Sequence, residues 1–199
     1  MPYTIMPLKE VLEGRVSQFL ESLRVVREKA QEVATRVLSA SFAGLTPEEG
    51  QIAEIPPRPE MFTGVTGAAL SGTFRQNFTS TGWNTVLKAN LKSAGEVKDK
   101  WVLGVAGIAI LDPAKRISQI QIFQGDYSHP VIDIEDAFAE EGPVAVIFDI
   151  SKSNVDRFVF EPDKPFQLDA YVITTGYQTI KPIGVALVVK NTAIRRTYA

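Results

Sequence analysis

The chain has no cysteine and only one histidine, His129, in 199 residues. Without thiols there can be no disulfide, thiolate metal site, iron–sulfur cluster or cysteine nucleophile. One imidazole excludes the multi-histidine metal centre of catalytic cupin-type barrels. A serine–histidine–acid triad would have to use His129, which sits in Tyr127-Ser-His-Pro130 with no identifiable nucleophile. Long apolar runs are also missing. The longest, Trp101–Leu111, is interrupted by Gly104 and Gly107 and is about half of what a membrane-spanning helix needs. The N-terminus, Met1-Pro-Tyr-Thr-Ile-Met-Pro-Leu8, has neither a basic region nor an apolar stretch of signal type. A soluble chain is therefore expected, with no signal peptide, no transmembrane segment and no membrane insertion. Neither charge sign dominates: 21 basic and 23 acidic residues leave a net charge of -2, which gives no global attraction to nucleic acid or acidic membranes.

Proline and glycine are scarce at one end only. Residues 8–43 hold no proline and a single glycine, Gly14. That segment reads as one long helix. Its apolar positions Val16, Phe19, Leu23, Val26, Ala30, Val33 and Val37 are spaced alternately by three and four residues, a heptad seam. Such a seam is either an amphipathic helix lying along its own domain or a coiled coil with copies of itself. Leu20, Val25 and Leu38 widen the stripe beyond a strict seam, and Ala30 would allow close approach. Ala43-Gly44 and Thr46-Pro47 form a reasonable stop. Residues 44–60, with Pro56, Pro57 and Pro59, read as an extended proline-rich linker.

From Met61 the pattern becomes strand-like. Strands are expected over 61–70, 72–80, 83–91, 101–111, 117–124, 130–134, 144–150, 155–160, 166–174 and 183–190. They are rich in aromatic and β-branched residues and are separated by turns such as Asp112-Pro113 and Glu161-Pro-Asp-Lys-Pro165. A short helix over 133–141 would be capped by Asp133. The expected architecture is mainly β: a long N-terminal helix over 1–43, a linker over 44–60, and an antiparallel, jelly-roll-like β-sandwich over 61–199.

Chemical motifs are few. No glycine-rich turn is followed by Lys-Ser or Lys-Thr, and Gly104-Val-Ala-Gly107 lacks the third glycine of a dinucleotide site. There is no Gly-x-Ser-x-Gly elbow. Asp126, Asp133, Glu135, Asp136, Glu140 and Glu141 cluster in sequence but lack EF-hand spacing; a solvated helix start, a calcium site and paired catalytic carboxylates stay open in that order. Trp83, Trp101, Tyr171, Tyr177 and Tyr198 are either core and sheet-edge residues or a sugar-stacking platform. The tail from Lys190, with Arg195 and Arg196, offers the only route to nucleic acid. No catalytic residue, cofactor, metal or small-molecule substrate is assigned.

A helix, a linker and a β-domain without a catalytic set point to a non-enzymatic subunit that self-assembles. The organisation is similar to that of jelly-roll shell proteins of viruses, an architectural analogy over roughly 61–190 that no diagnostic motif supports. A virion capsid protein is thus the most concrete expectation, its partners being copies of itself through the seam Val16, Phe19, Leu23, Val26, Ala30, Val33 and Val37. The alternative is a β-sandwich that binds carbohydrate or peptide and is displayed on a helical oligomerisation stalk.

Overall fold

The computed structural model describes residues 3–13, 17–39, 51–89, 101–139 and 142–189. The chain opens with strand β1 (Tyr3–Pro7), a short helix α1 (Leu8–Leu12) and helix α2 (Ser17–Leu38). Strands β2 (Ile52–Ile55), β3 (Phe62–Thr63), β4 (Arg75–Phe78), β5 (Gly82–Ala89), β6 (Trp101–Ile110) and β7 (Ile117–Gln124) follow. Then come β8 (Tyr127–Ser128), β9 (Ile132–Asp133), β10 (Val144–Phe148), β11 (Val159–Phe160), β12 (Phe166–Val172) and β13 (Gly176–Val189).

The strands form two antiparallel sheets. The first runs β1-β10-β6-β13-β2, with β11 also on β6 and β4 on β13. The second runs β3-β5-β12-β7-β8, with β9 also on β7. Their pairings nest: β2 meets β13, β5 meets β12, β6 meets β10, and β7 meets β8 and β9. The first strand of this set thus pairs with the last, the second with the next to last, and so inward. Two further pairings, β13 with β6 and β12 with β7, draw the nested arms together.

Alternation explains which face each strand buries. In β12, Phe166, Leu168, Ala170 and Val172 are buried, whereas Gln167, Asp169 and Tyr171 face outward. In β7, Ile120 and Ile122 point inward, and Gln119, Gln121 and Phe123 outward. Both sheets contribute to one core, where Phe62 packs edge-on against Trp101 and Phe160 against Phe166. β6 does not alternate: all ten of its residues are buried, because its outer face is roofed by α2.

Several expectations need correction here. The single helix over 8–43 is two helices, α1 and α2, and Tyr3–Pro7 ahead of them is a strand. Tyr3, Thr4 and Ile5 suit an extended backbone, and the β10 edge supplies their partners. Ile52–Ile55, expected as linker, pairs with Ala186–Val189. The prolines follow that strand instead of separating two bodies. Only Phe62–Thr63 of the stretch 61–70 is a strand, because Gly67 at φ 76° turns the chain. The short helix expected over 133–141 is a 3-10 turn, Glu135–Ala139, and Asp133 Oδ1 does accept from the Glu135 N–H at 2.9 Å.

Candidate functional site

Helix α2 lays its apolar seam on the chain's own first sheet. Phe19, Val26, Ala30 and Val33 are buried within the chain, and Leu23 and Val37 pack partly buried beside them. Val16 lies outside the described residues. The contact is with the chain's own first sheet. A Cβ placed on Gly104 of β6 would meet Val26 Cγ1 at 2.6 Å and Ala30 Cβ at 3.3 Å, so Gly104 and Ala30 together let helix and sheet approach closely. Ser22 sits in the same interface. Its hydroxyl donates to the Phe148 carbonyl at 3.0 Å and accepts from the Ile150 N–H at 3.2 Å, which satisfies backbone groups just where β10 ends. Ion pairs fasten the flanks: Arg27 with Glu54 at 2.9 Å, Lys29 with Asp156 at 3.2 Å, and Arg36 with Glu161 at 3.0 Å. The seam is therefore spent on an intramolecular contact. Among the described seam residues, Phe19, Val26, Ala30 and Val33 are covered by the chain itself, and Leu23 and Val37 stay partly accessible.

His129 is structural in its surroundings. It is buried, its ring lies against Phe158 and Tyr127, and Nε2 donates to the Arg157 carbonyl at 3.1 Å. Burial pushes its imidazole below the ordinary histidine range, although that hydrogen bond pulls the other way. The acidic stretch does not converge. Asp133 caps the 3-10 turn, Glu140 and Glu141 lie outside the described residues, and no group of three or more metal-ligating side chains forms among the described ones.

The aromatic residues divide. Trp101 is fully buried, whereas Trp83 and Tyr171 stand exposed as cross-strand neighbours, with ring centroids 5.6 Å apart and nearly perpendicular planes. They share the outer face of the second sheet with Thr85, Asp169, Gln119 and Gln121. Gln167 on that face donates to Asp169 Oδ1 at 2.9 Å. Tyr177 is exposed as well, with the Arg75 guanidinium 4.7 Å over its ring. Tyr198 and the basic tail from Lys190 lie outside the described residues.

Two features escaped the sequence reading. One is a pair of buried amides. Gln76 accepts from the Val65 N–H at 2.6 Å and donates to the Val86 carbonyl at 2.8 Å. Gln178 accepts from the Arg116 N–H at 2.9 Å and donates to Asp112 Oδ2 at 3.2 Å. Both lie among polar neighbours, Gln76 between Arg75 and Asn77 and Gln178 between Tyr177 and Thr179, so no local signal marks them as buried. The other is an apolar cleft of about 510 Å³ between α1, the start of α2 and the first sheet. Its lining comes from five separate stretches of sequence, so no local pattern reveals it. Comparison with family models, curated proteins and solved structures gives no match.

Proposed function

We propose that the chain is a non-enzymatic shell subunit built on a jelly-roll sandwich, most concretely a virion capsid protein, which assembles with copies of itself. The observation that carries this reading is the nested strand pairing. A jelly roll is a long antiparallel hairpin rolled over, so first pairs with last and the arms then close on each other. The pairings β2·β13, β5·β12, β6·β10 and β7·β8/β9, closed by β13·β6 and β12·β7, follow that scheme. Of the extra N-terminal elements, β1 widens the first sheet at the β10 edge and α1 and α2 pack on its face. The result is a plate with one helix-backed side and, among the described residues, one side without a helix, a shape suited to tiling.

Because the helix seam is internal, assembly contacts have to come from sheet edges and exposed side chains. Among the described residues β1 is paired on one side only in the first sheet, and unpaired edges are templates for pairing. The test is sedimentation velocity of the wild type beside Thr4→Pro. Assembly of the wild type that the proline weakens supports contacts at this edge. Absence of any assembly by the wild type, at every concentration tried, overturns the reading.

A second reading rests on Trp83 and Tyr171. An exposed aromatic pair beside amides and a carboxylate suits the apolar face and hydroxyls of an oligosaccharide. Titration of soluble glycans against wild type and Trp83→Ala tests it: binding lost in the variant supports it, and no binding by the wild type removes it.

A further inference from the structure

We infer that the apolar cleft between α1, α2 and the first sheet binds a free long-chain fatty carboxylate. This goes beyond the shell reading and does not depend on it. The cleft's volume, about 510 Å³, falls in the range of small-molecule sites, which are mostly apolar with few polar groups. Its walls are apolar side chains, including Leu8, Val11, Phe19, Pro57 and Ile183, and Lys181 is the single charged lining residue among the described residues. That ammonium is half-buried and has no ion-pair partner among the described residues.

The charge sits at one end. Along β13 the lining runs from Lys181 to Gly184, and the far end carries Pro56 and Pro57, which follow Ile55 opposite Ala186. Three residues along β13 separate Lys181 from Gly184, roughly 10 Å at strand rise. An occupant therefore meets a cation at one end and hydrocarbon at the other, which is the polarity of a fatty carboxylate. Leu12, 78% exposed, and Leu20, 48% exposed, also line the cleft. They offer apolar contact to a chain emerging into solvent.

The test is calorimetric titration of the full chain with sodium dodecanoate below its micelle concentration, beside dodecyltrimethylammonium and dodecanol. Dodecanoate is expected to bind at one site per chain and the cationic amphiphile not to bind. Lys181→Gln should weaken dodecanoate by about tenfold or more, as loss of a charge-assisted contact does, while Lys181→Arg retains it and dodecanol binding is unchanged by either. Leu20→Glu, on an exposed helix position, should abolish binding with the circular dichroism spectrum unaltered. No dodecanoate binding, equal binding of both amphiphiles, or indifference to Lys181→Gln overturns the proposal. So does a concentration-dependent dimer that Leu12→Asp abolishes and dodecanoate does not displace, because a second copy then fills the cleft.

Discussion

Alanine at Gly104 should destabilise the protein, and removing methyl groups from Val26 should rescue it. The added Cβ would lie 2.6 Å from Val26 Cγ1, 3.3 Å from Ala30 Cβ and 3.3 Å from Val185 Cγ2. Carbon pairs rest at 3.5–4.0 Å, so roughly 1 Å of clearance is missing on the helix side. Val26 is β-branched in a helix and held to one rotamer, which leaves movement of α2 itself. Overpacking of this kind costs about 1–3 kcal/mol. The lower entropy of the unfolded alanine chain offsets about 0.4–1 kcal/mol of that, so Gly104→Ala alone should lose about 1–2 kcal/mol. Val26→Ala alone, at a fully buried site, should lose about 2 kcal/mol. In the double variant the new methyl occupies vacated space, so the combined loss should fall short of the sum by about 1–2 kcal/mol. Urea denaturation of the four proteins reads this directly. Additive losses, or a neutral Gly104→Ala, would show that α2 is not seated on β6 and would refute the packing argument.

Ser22→Ala should lose about 1–3 kcal/mol in the same assay, because the Phe148 carbonyl and Ile150 N–H are left buried without that partner. The His129 imidazole is held below its unfolded value of 6.5, so the unfolded chain takes up the proton first as pH falls. Its contribution to stability is complete above pH 6.5 and is lost as pH falls through the folded value, with a slope of at most about 1.4 kcal/mol per pH unit. Urea midpoints between pH 7.5 and 5.5 should show this slope, and His129→Gln should flatten it. Trp83→Ala should lower stability by only about 0.5–1.5 kcal/mol, the worth of an aromatic pair, since the ring is 46% exposed; a larger loss by thermal denaturation would mean that the residue serves the fold.

Strand content was legible in part: the first half of β13, residues 176–182, was not expected, and most of the strand expected over 155–160 is a 3-10 turn, Val155–Phe158. Ile117–Gln124 has the expected bounds because its apolar and polar residues alternate through most of its length, and Trp101–Ile110 was readable from its continuous apolar run. Short edge strands were not. Tyr3–Pro7 and Ile52–Ile55 are set by the partners β10 and β13, which lie far away in sequence. The heptad spacing of α2 was read correctly as an apolar stripe, but spacing alone does not say what covers it. Gly104 held the missing information, since a glycine inside a buried strand signals close approach by something, here Val26 and Ala30. Of the candidate sites, the exposed Trp83 was named in sequence, but its partner on the sheet face could be assigned only once the register set Tyr171 opposite it. The cleft and the buried amides Gln76 and Gln178 needed the tertiary structure outright.

Light scattering with negative-stain microscopy of the purified chain at two concentrations tests the shell reading most directly. Large regular particles, or a discrete high oligomer, are the predicted result. A monodisperse monomer at both concentrations would contradict it.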